Sequence, residues 1–122
     1  MNKLEREYQK HIIDRIYAMF GTEETLVQKE DSGYIQGIPD LLILHKGLWF
    51  ALETKKDSKA HHQPNQDYYV SWMDKLSFAS FIYPENEEEV FERMAAKVSA
   101  SNRRRRYDLV GKHATFPASQ PS

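Results

Sequence analysis

Apolar residues recur along the chain with the spacings that are typical of helices and strands. Over residues 3–20 an apolar side chain occurs at every fourth position from Leu4 to Phe20, which predicts an amphipathic helix packed against a core. Gly21 follows at the place where a glycine commonly ends a helix. Residues 24–30 mix β-branched and polar side chains, and they predict the first strand.

Residues 40–45 and 48–54 are short, mostly apolar segments separated by a Lys-Gly dipeptide, and they predict a β-hairpin. If that dipeptide forms a two-residue turn, the pairing register places Asp40 opposite Glu53. Both strands are apolar on both faces, so we expect them at the centre of the sheet.

The rest of the chain predicts a helix, a strand and a further helix. Pro64 suits the first position of the second helix. Four residues of that helix fall at core spacing: Tyr69, Trp72, Met73 and Leu76. Residues 77–83 alternate as a strand, and residues 85–98 form the third helix. The order α-β-β-β-α-β, followed by a C-terminal helix, predicts an α/β (α+β) fold in which helices flank a mixed sheet.

Composition narrows the class of protein. The 122 residues are enough for one domain with a modest core. The absence of cysteine excludes disulfides and thiolate metal sites. No segment approaches the run of about 20 apolar residues that spans a bilayer, and the charged N-terminus lacks the apolar region of a secretory signal. We therefore expect a cytoplasmic protein that has no membrane partner.

Charge is unevenly distributed, although the formal net charge is only −1. Residues 85–94 contain five acids and one arginine, whereas residues 102–112 contain five bases and one aspartate. We expect a folded domain over residues 1–98 and a basic, loosely ordered tail over residues 99–122. The four consecutive arginines of this tail predict either a solvated segment or contacts with phosphates.

Three charged residues lie at the ends of the predicted hairpin strands. Asp40 would face Glu53, and Lys55 would share a face with Glu53 because strand side chains alternate with period two. Facing carboxylates repel each other unless a cation lies between them, and oxygen ligands favour Mg²⁺ or Mn²⁺. Alternatively, Asp40 caps a turn after Pro39, Glu53 is exposed at a strand end, and Lys55 pairs with either acid. The joint presence of both acids, the lysine and a Gly-x-Pro turn favours the metal site.

These residues also carry a family resemblance. The GIPD segment that ends at Asp40, followed by the ETK segment that begins at Glu53, resembles the motif of the PD-(D/E)XK nuclease superfamily, especially its small VRR-NUC-type nucleases of phages and mobile elements. The resemblance covers residues 3–98 and implies a restriction-endonuclease-like core. It implies that Asp40 and Glu53 are metal ligands and that Lys55 is the catalytic lysine.

The resemblance implies further site residues on the two helices. In many members a glutamate on the first helix is followed four residues later by a glutamine, and Glu5 and Gln9 match this pattern, with Glu7 as the competing glutamate. The glutamine that opens the second helix would be Gln66, with Gln63 as the alternative.

The implied cofactor is Mg²⁺, which Mn²⁺ could replace, and no small-molecule cofactor is expected. The backbone carbonyl of Thr54 would join the metal ligands, and Glu5 would hold the metal through water or bind a second ion. We expect nucleic-acid contacts from eight residues: Lys56, Lys59, His62, Tyr34, Arg103, Arg104, Arg105 and Arg106.

The resemblance implies a metal-dependent endonuclease that hydrolyses DNA phosphodiester bonds in replication, recombination or repair. Selectivity for junctions, flaps or nicks would fit the superfamily, and one site per chain implies a homodimer or higher oligomer for double-strand cutting. The expected location is the cytoplasm of a bacterium or of a phage-infected host. Two alternatives remain open: an RNA-directed nuclease, and a catalytically inactive nuclease fold that binds nucleic acid or protein.

Overall fold

A computed structural model describes residues 1–30 and 33–115 of the chain, with side chains as far as residue 106. It contains seven elements: α1 (Lys3–Phe20), β1 (Thr25–Lys29), β2 (Leu41–His45), β3 (Leu48–Thr54), α2 (Gln66–Leu76), β4 (Ala79–Ile82) and α3 (Glu87–Thr115). The predicted α+β class and the predicted order of helices and strands are therefore confirmed. None of the described helices is long and apolar enough to cross a membrane.

Helix α1 begins and ends as its sequence predicts. The Asn2 side chain caps its first turn by accepting a hydrogen bond from the Glu5 backbone at 2.8 Å. Gly21 ends it with a positive φ of 89°. Ile12 and Ile16 are fully buried. Leu4, however, is exposed, because the first turn of α1 extends beyond the apolar stripe that meets the sheet.

The four strands form one mixed sheet in the order β1-β2-β3-β4. The first three strands pair antiparallel, and β3 pairs with β4 in parallel. A parallel pair needs a crossover connection, and α2 supplies it. Helix α1 contacts β1 and β3, whereas α2 contacts β3 and β4.

The hairpin register agrees with the prediction over the whole length of β2. Lys46 and Gly47 both have positive φ, 47° and 80°, which is the geometry of a two-residue hairpin turn that follows the strand twist. Leu42 consequently faces Ala51. Strand β2 starts at Leu41, so Asp40 lies immediately before the paired region.

Helix α2 packs against the sheet through Val70 and Met73, so its spacing predicted the buried side only in part. Val70 is buried with Ala51 and Ala79 in a small cluster against the sheet, whereas Trp72 and Leu76 are 47% and 62% exposed. Apolar residues occur on both sides of this short helix, so spacing alone did not select the buried one. The prediction for Pro64 was also wrong, since α2 begins at Gln66 and its N-cap is Asn65.

Helix α3 continues far beyond its predicted end at residue 98 and reaches Thr115. The helix thus includes residues 99–115 of the segment expected to form a loosely ordered tail, and how firmly that segment is held stays a prediction. Residues 99–110 contain no proline or glycine and include four arginines, which favour helices, so their polarity does not oppose a helix. Residues 116–122 of the predicted tail lie outside the described residues.

The chain divides into two compact units, Met1–Val90 and Phe91–Ser122. The first unit contains the sheet, α1, α2 and the first turn of α3. The second unit contains the remainder of α3, with the four arginines Arg103–Arg106 exposed. The predicted domain boundary after residue 98 falls inside this helix.

Within the first unit, the acidic start of α3 is held by α1. Arg15 donates hydrogen bonds to the carboxylates of Glu87 and Glu88, and the Tyr8 hydroxyl donates to Glu87 at 2.9 Å. Burial raises the pKa of Glu87, but hydrogen bonds from Arg15, His11 and Tyr8 outweigh burial and leave this pKa below its ordinary value. These acids therefore join α3 to α1.

Candidate active site

Asp40, Glu53 and Lys55 come together at the end of the hairpin that is opposite the Lys-Gly turn. The Lys55 ammonium lies 3.7 Å from the nearer Glu53 carboxylate oxygen, and both side chains are almost completely buried. The Glu53 carboxylate also accepts a hydrogen bond from the backbone of Asp40. The convergence expected from the period of the strands is thus present in the folded chain.

Asp40 is held by three hydrogen bonds. Its Oδ2 accepts from the Thr54 hydroxyl at 2.6 Å and from Gln9 Nε2 at 3.1 Å. Its Oδ1 accepts from the Thr54 backbone N–H at 3.1 Å. Two elements therefore fix the orientation of this carboxylate: the end of β3 and the middle of α1.

Glu53 is oriented by the first residue of α2. Gln66 Nε2 donates to Glu53 Oε2 at 3.1 Å, and Gln66 Oε1 accepts from the Gln63 backbone N–H at 2.8 Å. Of the two glutamines that the sequence offered, Gln66 is the one whose side chain contacts the acid. Gln63 acts through its backbone and fixes the Gln66 amide.

Lys55 is held in place by its backbone and by its side chain. Its N–H donates to the Ile82 carbonyl at 2.9 Å, which continues the pairing of β3 with β4. Its ammonium donates to the His61 carbonyl at 3.1 Å. A lysine ammonium has three donors, so the hydrogen bond to His61 leaves two of them for other groups at the site.

The two acids have raised pKa values because of where they are buried. Burial raises the pKa of Glu53, and the negative charge of Asp40 raises it further, to about 8, despite the opposing charge of Lys55. Burial also raises the pKa of Asp40, although hydrogen bonds from Thr54 and Gln9 oppose this change. The fold thus holds two neighbouring carboxylates in a place where the loss of contact with water disfavours the charged form of each.

These residues lie on the floor of an open cavity of about 920 Å³. The residues that line this cavity all belong to the first unit: Met1, Asn2, Glu5, Arg6, Gln9, Lys29, Glu30, Gln36, Gly37, Ile38, Asp40, Glu53, Lys55, Lys56, Ala60, His61, Gln63 and Gln66. A ligand from solvent can therefore reach both Asp40 and Glu53 through this cavity.

Helix α1 contributes Glu5 and Gln9 to this lining. Glu5 is partly buried at the cavity, whereas the competing Glu7 is exposed and pairs with Lys3 at 4.0 Å. The sequence pattern included Gln9 but assigned it no contact, whereas its side-chain amide donates a hydrogen bond to Asp40. Its position one helical turn after Glu5 was the only signal for that role.

The residues expected to contact nucleic acid are dispersed. Lys56 is exposed and lines the cavity, whereas Lys59 is exposed outside the lining. His62 also lies outside it, because its ring stacks on Phe81 at 4.1 Å and its Nδ1 lies 2.8 Å from Asp67. Tyr34 is 88% exposed in the loop that precedes Gly37. Their contacts with nucleic acid stay predictions, as do those of the arginines in the second unit.

Gly37 allows the loop before Asp40 to approach the loop before α2. Its φ is +92°, and a Cβ added there would lie 2.6 Å from the Asn65 carbonyl carbon and 2.8 Å from the Pro64 carbonyl oxygen. Both are backbone atoms, so no side-chain rotation relieves the overlap. The glycine of the Gly-x-Pro-Asp segment is thus required by both its backbone angle and its neighbours.

We expect Gly37→Ala to destabilise the protein by about 3 kcal/mol, because the strain of a positive φ adds to a clash of about 1–3 kcal/mol. Gly21→Ala is the matched control, since Gly21 has a similar φ of +89° but no atom near the added Cβ. It should cost only about 1 kcal/mol. Urea denaturation measures both variants, and equal losses would show that the contact with Asn65 is unimportant.

The donor set fits a hard divalent cation. Asp40 and Glu53 supply carboxylate oxygens, and the Thr54 carbonyl lies on the backbone between the Glu53 and Lys55 side chains. Within residues 1–30 and 33–106, no three His, Cys, Asp or Glu side chains form a group that could hold a metal ion. A cation bound here would therefore complete its shell with the Thr54 carbonyl, with water and with substrate oxygens, as Mg²⁺ commonly does.

Comparison of the chain with protein-family models, with curated proteins and with solved structures gives no match.

Proposed function

We propose that the protein is a metal-dependent nuclease that hydrolyses phosphodiester bonds in DNA. The observation that carries this proposal is that Asp40, Glu53 and Lys55 lie side by side on the floor of an open cavity, with Glu53 and Lys55 buried and Asp40 half-buried. Two acids with raised pKa values and an adjacent lysine are expected where a divalent cation and a phosphate are to be bound. The residue pattern that resembles PD-(D/E)XK nucleases supports the same function.

Asp40, Glu53 and the Thr54 carbonyl would hold Mg²⁺ or Mn²⁺. When bound, the ion would supply Lewis acidity toward the phosphate and lower the pKa of a coordinated water. The protein contributes the orientation of its ligands: Gln9 and Thr54 fix Asp40, and Gln66 fixes Glu53.

Lys55 would orient the attacking water and meet the negative charge that develops on the phosphate. Its ammonium is buried next to Glu53 and keeps two donors beyond its hydrogen bond to the His61 carbonyl. Three basic side chains on the cavity lining, Arg6, Lys29 and Lys56, would contact phosphates on either side of the scissile bond.

The test is incubation of purified protein with supercoiled plasmid and with a labelled four-way junction, in Mg²⁺, in Mn²⁺ and in EDTA. We expect cleavage in either metal, none in EDTA, and none with Asp40→Asn in any condition. A parallel RNA substrate decides between DNA and RNA. Metal-independent binding without cleavage of any substrate would instead support an inactive nucleic-acid-binding module.

We expect Thr54→Val to weaken Mg²⁺-dependent cleavage by about 10- to 100-fold, a typical loss when a residue that orients a metal ligand is removed. Valine keeps the shape and the backbone N–H but loses the hydroxyl that donates to Asp40 at 2.6 Å. The loss should appear as a higher Mg²⁺ concentration at half-maximal rate.

Thr54→Ser is the matched control, because serine keeps the hydroxyl and should restore most of the apparent metal affinity. Wild-type apparent metal affinity in the valine variant would show that the hydroxyl does not position Asp40, and a loss in the serine variant alone would show that the methyl group matters through packing.

A further inference from the structure

Three large apolar side chains of α2 form an exposed stripe. Tyr68, Trp72 and Leu76 follow one another at intervals of four residues, and they are 60%, 47% and 62% exposed. Side chains at this spacing lie on the same face of a helix. The rings of Tyr68 and Trp72 are 5.7 Å apart, so the stripe is continuous. We refer to these three residues as the α2 stripe.

The α2 stripe takes no part in the core or in the candidate active site. Helix α2 packs against the sheet through Val70 and Met73, and it reaches the site only through Gln66, its first residue. At about 1.5 Å per residue, Trp72 lies about 9 Å along the helix from Gln66. The exposed aromatic side chains are therefore available to a partner without disturbing the acids.

The size of the α2 stripe suits the centre of a protein interface. Buried aromatic side chains contribute about 150–250 Å² each, so three partly exposed side chains offer roughly 300–400 Å². A stable interface buries about 800 Å² per partner, with an apolar centre and a polar rim. The stripe would supply that centre and would need polar neighbours on both sides.

The polar neighbours of the α2 stripe are self-complementary in charge. Asp67 and Lys75 line a shallow groove of about 450 Å³ beside Trp72, and they lie four residues before and four residues after Ser71. The Asp67 side chain is 76% exposed, although its Oδ1 lies 2.8 Å from His62 Nδ1. One acid and one base do not attract a polyanion such as DNA, but they match a second copy of the same surface in reverse direction.

We propose that the α2 stripe is the interface between two copies of this chain, related by a two-fold axis near Trp72 with the two α2 helices antiparallel. Tyr68 of each copy then lies against Leu76 of the other. Asp67 of each copy lies opposite Lys75 of the other, so that the ion pair is made twice. A two-fold interface of this kind uses the same surface of both copies, so the assembly ends at a dimer.

The dimer has a consequence for cleavage that rests on the proposed function. Two antiparallel helices that pack 8–10 Å apart around Trp72 bring the two Gln66 residues to about 20 Å from each other. Two active sites at that spacing can each reach one strand of the same DNA duplex. A dimer could therefore make a double-strand break, whereas a monomer would nick one strand.

The first experiment is sedimentation equilibrium of the wild-type chain and of Trp72→Glu and Leu76→Glu over a wide range of concentrations. We expect a wild-type dimer, and we expect each variant to raise the dimer dissociation constant by on the order of 100-fold. Leu26→Glu is the control, because Leu26 is also an exposed leucine, on β1, with 50% of its surface accessible. Circular dichroism should show that all three variants stay folded, since each changes an exposed side chain.

Exchanging the charges of Asp67 and Lys75 tests whether the two α2 helices are antiparallel. Asp67→Lys alone and Lys75→Asp alone should each weaken the dimer about fivefold, and the double variant should restore it. A wild-type monomer at all concentrations would overturn the proposal. So would dissociation by Leu26→Glu with no effect of the α2 variants, or loss of DNA binding by Trp72→Glu at an unchanged oligomeric state.

Plasmid cleavage then separates this inference from the proposed function. Trp72→Glu should still nick supercoiled plasmid but produce far less linear DNA than the wild type. If neither protein nicks the plasmid, the proposed nuclease activity is contradicted, whereas the conclusion about the dimer, which comes from sedimentation, is unaffected.

Discussion

Lys55→Met is expected to reduce the rate of phosphodiester cleavage by about 1,000-fold while leaving the protein folded and able to bind Mg²⁺. A general acid–base or charge-stabilising lysine contributes on the order of 10²–10⁴ to the rate. Methionine fills the space of the buried lysine stem but has no charge. The Lys55 ammonium lies 3.7 Å from Glu53, and in the proposed mechanism it would face the phosphate and would not be a metal ligand.

The measurement is single-turnover cleavage together with calorimetric titration of Mg²⁺. Lys56→Met is the matched control, because Lys56 is the next residue, lines the same cavity and is exposed. It should raise KM by a few-fold through a lost phosphate contact and leave kcat nearly unchanged. Wild-type kcat in Lys55→Met would remove this lysine from the mechanism, and loss of Mg²⁺ binding would assign it a role in holding the acids.

The metal-free protein is expected to lose stability as the pH rises from about 4.5 to about 8. The pKa of Glu53 is raised from its ordinary 4.5 to about 8 by burial and by the charge of Asp40, so the folded state binds more protons than the unfolded state throughout this range. The free energy of unfolding therefore decreases with increasing pH. Each pKa unit corresponds to about 1.4 kcal/mol, so the total loss amounts to a few kcal/mol.

Urea denaturation in EDTA at a series of pH values measures this slope. Glu53→Gln should remove most of it, because glutamine does not titrate, and the remainder would come from Asp40, whose pKa is also raised. Mg²⁺ should stabilise the wild type more at pH 8 than at pH 5, since it binds the ionised acids. A stability that rises with pH in EDTA, or Mg²⁺ stabilisation that is independent of pH, would contradict the proposed metal site.

Much of the candidate site could be predicted because it depends on local rules. The Lys-Gly dipeptide fixes the register of the hairpin, since both of its residues take the positive φ of a two-residue turn. That register, together with the period of two along a strand, is sufficient to bring Asp40, Glu53 and Lys55 to one place. The acids and the lysine were therefore found without knowledge of the helices.

The partners of the acids depend on the packing of the helices and could not be derived in the same way. Gln9 is on α1 and its amide reaches Asp40 across a sequence separation of 31 residues. Only the backbone carbonyl of Thr54 was expected at the site, yet the Thr54 hydroxyl donates a hydrogen bond to Asp40. The contact of Gln9 follows from the angle and depth at which α1 lies on the sheet, which the sequence alone does not give.

The sequence by itself determined the order of the elements, the hairpin register and the three charged residues at its end, because turn chemistry and side-chain periodicity act over a few residues. Only the tertiary structure decided that α2 buries Val70 and exposes Trp72, since a short helix that is apolar on both sides has two possible faces. It also decided that half-buried Asp40 lies beside buried Glu53, where the loss of contact with water raises the pKa values of both acids.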